Sequence, residues 1–276
     1  MPGVHPAKEE PLQPTQEQRA EVFRALHEGE AFVIPNPWDT GSAKLLQTLG
    51  FEALATTSSG LAFTLGRLDG GATLAEVLEH VSALAGATGL PVSVDLEHGY
   101  GPTPDDVASA IMSAAGAGAV GGSIEDYEPG EGIYPLSRAV ERVAAAVEAA
   151  RALGFPFVVT ARAENHIRGN PDLADTIERL QAFDEAGADV LYAPGLRTVD
   201  EIRAVCASTA KPVNVLAPRG LRLRELVDAG ARRISLGGAL AWAAVAATAA
   251  AAERIRDDGD FSLLGSSERI PEWLGV

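Results

Sequence analysis

Short apolar runs alternate along this chain with longer stretches whose apolar residues recur every three or four positions. The short runs read as strands and the longer stretches as amphipathic helices. A first helix is predicted over 16–28, with Val22, Phe23 and Leu26 on one side. Strands are predicted at 31–37, 53–58, 91–97, 119–125, 155–162, 189–193, 212–216 and 233–237. Helices follow them at 41–49, 74–87, 104–116, 136–153, 173–186, 199–207, 221–229 and 239–255. Strict alternation of strand and helix implies a parallel sheet. Eight such units in about 250 residues match the length of a (β/α)8 TIM barrel. An open doubly wound sheet usually carries a glycine-rich phosphate turn after its first strand, and Pro35-Asn-Pro-Trp-Asp39 is nothing like one. The organisation expected is a loose, proline-rich arm over 1–15, a barrel over 16–257, and a tail over 258–276. The tail carries Trp273 and Leu274 and is expected to pack on the barrel or on a neighbouring subunit.

In such a barrel the polar residues at strand carboxyl ends form the active site. The run Pro91-Val-Ser-Val-Asp-Leu-Glu97 places Asp95 and Glu97 two residues apart, hence side by side on one face of a strand. Two carboxylates held that close require a proton or a cation between them. Asp69 and Glu125 follow other strands and would crowd the same mouth. A proton can bridge two carboxylates but not four. An all-oxygen cluster suits Mg2+ or Mn2+, with one carboxylate bound directly and the others through water. Arg162 ends the fifth strand and needs an anion, either Glu125 or Glu164 as an ion pair or a substrate carboxylate held by the guanidinium fork. The favoured reading is the substrate. Ser59-Gly60-Leu61 forms either a plain turn or a set of backbone N–H groups aimed at a ligand oxygen. Asn214 lies in the seventh strand, and strands six and eight end in small or apolar residues.

Composition narrows the partners. The formal net charge is −16 and the pI about 4.7, which argues against nucleic acid and anionic membrane. The single cysteine, Cys206, excludes a disulfide framework and fits a cytoplasmic protein. The first ten residues contain no apolar h-region, so no signal peptide is expected. The only lysines are Lys8, Lys44 and Lys211, and none is placed for a Schiff base.

Five stretches resemble the isocitrate lyase / phosphoenolpyruvate mutase superfamily. They are Asn36-Pro-Trp-Asp-Thr-Gly-Ser-Ala-Lys44, the segment Phe51–Gly70, Val94-Asp-Leu-Glu-His-Gly-Tyr-Gly101, Ser123-Ile-Glu-Asp126 and Thr160-Ala-Arg-Ala-Glu164. The resemblance implies a (β/α)8 barrel, often with the C-terminal helix exchanged between subunits of a homodimer or homotetramer. It implies Mg2+ at Asp95, with Asp69, Glu97 and Glu125 around it. It implies a small 2-oxo or 2-hydroxy di- or tricarboxylate, held by Arg162 and the Ser59-Gly60-Leu61 backbone, with Trp38 and Asn214 as further substrate contacts. The reaction implied is carbon–carbon bond cleavage through an enolate. The alternatives are a phosphonomutase, an oxaloacetate hydrolase or decarboxylase, and a non-catalytic 2-oxo acid binder. Lyases of this superfamily carry a lid cysteine as acid/base, whereas here the lid is Asp126-Tyr-Glu-Pro-Gly-Glu-Gly-Ile-Tyr-Pro-Leu-Ser137, without one. Tyr134, or else Glu131, is the substitute acid that this segment offers.

Overall fold

The structure, a computed structural model, describes residues 13–265 and 267–275. Most of the expected arm therefore lies outside the described residues. Eight parallel strands make one sheet: β1 (Phe32–Ile34), β2 (Leu54–Ala55), β3 (Val92–Asp95), β4 (Gly121–Glu125), β7 (Val158–Arg162), β8 (Val190–Tyr192), β9 (Val213–Leu216) and β10 (Arg233–Ser235). A small antiparallel hairpin, β5 (Tyr127–Glu128) with β6 (Gly132–Ile133), occupies the lid segment. The sheet order β1-β10-β9-β8-β7-β4-β3-β2 leaves β1 and β2 as its two ends. Those ends meet. Ala55 N–H donates to Pro35 O at 3.1 Å, and Asn36 ties the seam from both sides. Its Nδ2 donates to Thr56 O at 2.9 Å, and its Oδ1 accepts from Leu236 N at 2.9 Å. The eight strands thus form a (β/α)8 barrel.

The helices are α1 (Gln16–Glu28), α2 (Thr40–Thr48), α3 (Ser58–Thr64), α4 (Leu74–Ala87), α5 (Pro104–Gly116), α6 (Leu136–Arg151), α7 (Leu173–Glu185), α8 (Val199–Ala207), α9 (Leu223–Asp228), α10 (Ala239–Asp258) and α11 (Ile270–Leu274). Most begin where a side chain can satisfy the orphan amides of the first turn. Thr15, Asp39, Thr73, Thr103 and Thr198 each cap a helix and form a reciprocal capping box. The apolar faces of α4 to α9 pack on the outside of the sheet around buried residues such as Val81, Ile111, Leu180 and Ile202.

Helix α1 closes the amino-terminal end of the barrel. Phe23 is fully buried among Phe32, Val120, Val158 and Val190. Gly121 makes room for it, because a Cβ there would lie 2.7 Å from the Phe23 ring and 2.9 Å from Val158 O. His27 stands beside Phe23 with its Nδ1 2.7 Å from Phe23 O and its Nε2 3.2 Å from the Arg233 guanidinium. A carbonyl only accepts and a guanidinium only donates, so the proton sits on Nδ1 and the ring is neutral. Burial and the facing Arg233 push its pKa down to about 3. The unfolded chain binds a proton below about 6.5 that the folded one refuses, so this contribution to stability is complete above that pH and is lost as pH falls towards 3. In urea unfolding, His27→Gln is expected to reduce the stability lost between pH 7 and pH 4.5 by roughly 2 kcal/mol, from 1.36 kcal/mol per pKa unit. Equal pH dependence in both proteins would refute the assignment.

The last two elements depart from the barrel wall. Beyond Ala241, helix α10 buries almost nothing, and its alanines face solvent. Helix α11 lies on α2 of the same chain, with Trp273 O 3.4 Å from Thr48 Oγ1. No helix among the described residues is long and apolar enough to cross a membrane.

Candidate active site

The carboxyl end of β3 carries the first acid. Asp95 is fixed from three strands: its N–H donates to Thr56 Oγ1 at 2.8 Å, and its Oδ1 accepts from Ser123 Oγ at 3.3 Å and Arg162 Nη1 at 2.9 Å. The strand ends there. Glu97 is not on its pleat, as the two-residue spacing predicts, but in the left-handed region at φ 48°. A non-glycine residue held in that region is a strained turn, of the kind that clusters at functional sites. The turn is stabilised by Glu97 N–H donating to Asp95 Oδ1 at 3.3 Å. It sends the Glu97 carboxylate towards Asp69, whose neighbour Gly70 is close to Glu97 Oε2. Burial, then the nearby Asp95, push the Glu97 carboxyl up to about 7, although Tyr100 donates to its Oε1 at 2.8 Å.

Arg142 holds this turn from outside. Its guanidinium is buried and donates to the carbonyls of His98, Gly101 and Thr103. Arg142→Ala removes three hydrogen bonds from a charged donor to partly buried carbonyls, at about 1–3 kcal/mol each. The expected result is a loss of at least about 3 kcal/mol in denaturant unfolding; a change below about 1 kcal/mol would show that the turn holds itself.

Arg162 gathers the remaining acids. Besides Asp95 it meets Glu125 Oε2 at 3.0 Å and Glu164 Oε1 at 2.8 Å. Arg168 bridges the same two glutamates and stacks on Tyr127 at 3.8 Å. The ion pairs expected as the alternative to a substrate carboxylate are therefore both formed. Four of the five guanidinium N–H groups of Arg162 are used, and one on Nη1 remains. Burial pushes the Glu125 carboxyl up against the pull of Arg162.

Asp69, Asp95, Arg162 and Asn214 line one cavity of about 150 Å³ at the carboxyl ends of the strands. Glu97 and Glu125 stand directly behind it. Among the further polar residues in its wall are Tyr192, Arg233 and Ser235, which were not expected from the sequence. Tyr192 is buried, faces the Arg162 guanidinium at 5.2 Å, and has its pKa pushed up to about 12 by burial. It is a neutral O–H donor. Arg233 donates from Nε to Asn214 Oδ1 at 2.9 Å and from Nη2 to Thr160 Oγ1 at 2.8 Å. It has no carboxylate partner among the described residues, and burial lowers its pKa to about 10, so it stays charged at neutral pH. Asn214 Nδ2 donates to Ser235 Oγ at 2.9 Å, which leaves one amide hydrogen for a ligand.

Five expected contacts lie elsewhere: Tyr134, Glu131, Trp38, Gly60 and Leu61. Tyr134 is fully buried outside the barrel, between the guanidinium groups of Arg138 and Arg142, and its hydroxyl donates to Glu128 Oε2 at 2.7 Å. Glu131 is exposed and paired with Arg138 at 2.7 Å. Trp38 and Gly60 pack on each other. A Cβ on Gly60 would lie 2.6 Å from the Thr57 methyl and 3.1 Å from Trp38 Cβ, so the glycine serves close packing. The Ser59-Gly60-Leu61 turn is in fact the start of α3, capped by Thr57. The N–H groups of Gly60 and Leu61 are spent on Thr57 Oγ1 and O at 3.3 and 3.0 Å. Ser58 and Ser59, the first two helical residues, line the cavity and have N–H groups with no intrahelical acceptor. The free donors are thus displaced by one residue from those expected.

Among the described residues no three acidic, histidine or cysteine side chains converge as a complete metal cage. The donor set nevertheless fits Mg2+, which keeps several waters and takes one or two carboxylates directly. Asp95 has Oδ2 unengaged, and the Glu97 carboxyl, raised first by burial and then by the facing Asp95, is a group whose ionised form a cation would favour.

Residues 23–256 match the phosphoenolpyruvate phosphomutase family. The chain belongs to that family. Its fold superposes, with a TM-score of 0.91 and 51% identity, on a crystal structure from Burkholderia cenocepacia J2315 named no more narrowly than lyase/mutase; the match covers 95% of this chain and 97% of that one. An oxaloacetate decarboxylase of Rhodopseudomonas palustris (strain BisB18) is 32% identical over 212 residues, 74% of this chain and 73% of the relative. A phosphonopyruvate hydrolase crystallised with oxalate and Mg2+ is 25% identical, with a TM-score of 0.83 and 95% of each chain covered. The chain is thus an enzyme of the phosphoenolpyruvate mutase / isocitrate lyase superfamily, a group of lyases and mutases.

Proposed function

We propose that this family member is a Mg2+-dependent carbon–carbon lyase acting on a small 2-oxo dicarboxylate of oxaloacetate size. The observation that carries the reading is the size and chemistry of the cavity. Its volume of about 150 Å³ is small against the ~300–1,000 Å³ of ordinary ligand sites, which favours a four-carbon acid over a tricarboxylate. The naming of one relative as an oxaloacetate decarboxylase, and of a neighbour as binding oxalate with Mg2+, supports the same size class.

Asp95, with Asp69, Glu97 and Glu125 around it, would hold the cation. When bound, the cation acts as a Lewis acid on the 2-oxo group. Arg162 holds the 1-carboxylate with its spare Nη1 donor, while Asp95 keeps Oδ1 on Arg162 and would meet the cation through Oδ2. The N–H groups of Ser58 and Ser59, with Asn214 Nδ2 opposite, orient the acid. The bond between C3 and C4 breaks, its electron pair forms the enolate, and carbon dioxide leaves. The Tyr192 hydroxyl then protonates C3 to give pyruvate, and the phenolate recovers a proton from water. The neutral phenol takes the place of the cysteine that this lid lacks.

The bare, alanine-rich surface of α10 supports exchange of that helix between the subunits of a homo-oligomer, and the lone Cys206 supports a cytoplasmic location. Carbon NMR of oxaloacetate, methylisocitrate, dimethylmalate and phosphonopyruvate, incubated singly with enzyme and Mg2+, tests the reaction. Pyruvate and bicarbonate from oxaloacetate are expected. Oxalate and acetate would make the enzyme a hydrolase, and tight oxalate binding without turnover on any substrate would make it a binding protein.

A further inference from the structure

A larger cavity, of about 910 Å³, lies at the opposite end of the barrel, beneath the amino-terminal ends of the strands. One wall is apolar: Val147 and Ala150 of α6, with Phe155 and Phe157 ahead of β7. The rim is cationic, with Arg151, Lys211 and Arg232, none of them in an ion pair among the described residues. Arg24 also lines it, but is tied to Glu21 and Glu28. Two carboxylates also line it: Glu28, held by Arg24, and Asp189, which accepts from Val159 N–H at 2.8 Å and lies within reach of the Lys211 and Arg151 charges, so four cations face two acids. A local excess of cations is notable in a chain of net charge −16.

The plain explanation for basic residues on this face is that helices end there and cations offset their carbonyl ends. It accounts for Arg151, which lies in the last turn of α6. It does not account for Lys211 and Arg232, which stand just ahead of β9 and β10 rather than in a helix. The cations meet an apolar wall in a volume within the usual ~300–1,000 Å³ for organic ligands. Helix carbonyl ends around the rim disfavour a densely charged phosphate and admit a single negative charge.

We infer that this cavity is a second binding site, for an organic monoanion with an apolar body, such as an acyl or aryl carboxylate. Its apolar part lies on Val147, Phe155 and Phe157, and its charge meets Lys211 and Arg232. The site is separate from the mouth, although His27 in its wall is one hydrogen bond from Arg233 in the upper cavity.

The test uses 8-anilinonaphthalene-1-sulfonate, an aromatic anion that fluoresces when shielded from water, titrated into the full-length enzyme. Saturable binding of one molecule per chain is expected. It should be displaced by octanoate, but not by acetate or inorganic phosphate, and not by oxalate with Mg2+. The double variant Lys211→Glu/Arg232→Glu is expected to weaken it about tenfold or more, since two attractions become repulsions. Both side chains are exposed or half-buried, so the fold should survive. Ala210→Trp, at an exposed position of the lining, obstructs the cavity without changing charge and should abolish binding as well. Non-saturable fluorescence, affinity unchanged in both variants, or displacement by oxalate with Mg2+ would each overturn the inference.

Discussion

Asp95→Asn is expected to remove the response to divalent cations and to lower turnover by about 10³-fold or more. The amide keeps the volume of the carboxylate and can still accept from Ser123 and Glu97, so the β3 turn survives. What disappears is the charge on the group at the centre of the acidic cluster. An asparagine oxygen binds Mg2+ far more weakly than a carboxylate, and an electrostatic stabiliser of a developing enolate is worth several kcal/mol in a water-poor site. Arg162 keeps an acceptor at this position but loses one of its three anionic partners, leaving Glu125 and Glu164 as its counter-charges. The measurements are isothermal titration with Mn2+ and turnover as a function of Mg2+ concentration. Cation affinity within about threefold of the parent would remove Asp95 from the cation site and the lyase mechanism with it.

Tyr192→Phe separates chemistry from binding. The phenol touches the cavity but is not a charged partner of the substrate, so its removal leaves Asp95, Arg162 and Asn214 in place. Loss of a positioned proton donor lowers kcat by about 10²–10⁴-fold. KM and oxalate affinity are expected to stay within about threefold, because neither depends on the proton. A fall in oxalate affinity that matches the fall in kcat would make Tyr192 a binding residue. Unchanged kcat would transfer the proton to another donor. Since the phenol titrates only near 12, it stays protonated through the neutral and mildly alkaline range.

The barrel was legible because strand and helix periods differ and eight alternations leave few topologies. Several helix limits, among them Leu74–Ala87 and Pro104–Gly116, follow from a Thr cap before the helix. The acids at the strand ends were legible for the same reason. The site's finer geometry was not. Glu97 reads as a strand residue by spacing, yet a turn hydrogen-bonded to Asp95 takes it off the pleat. Ser58 and Ser59 read as a turn because no periodicity fits in the seven residues of α3. Tyr192 escaped notice because Val190-Leu-Tyr192 reads as an apolar strand, and an aromatic in a strand normally signals packing. Tyr134 is the reverse case: a tyrosine in a lid reads as catalytic, and the fold places it fully buried with two arginines stacked on its ring. Arg233 follows Arg232 in sequence, and only the register with Asn214 on β9 decides which of the two turns inward.

An inward guanidinium with only neutral partners makes the unliganded barrel a trap for whatever small anion the solution offers. Chloride or buffer phosphate is expected to compete with the substrate for the upper cavity, as inhibition that rises with its concentration. Kinetics measured in such salts will therefore overstate KM, and preparations exchanged into a bulky, weakly coordinating anion should give the truer value.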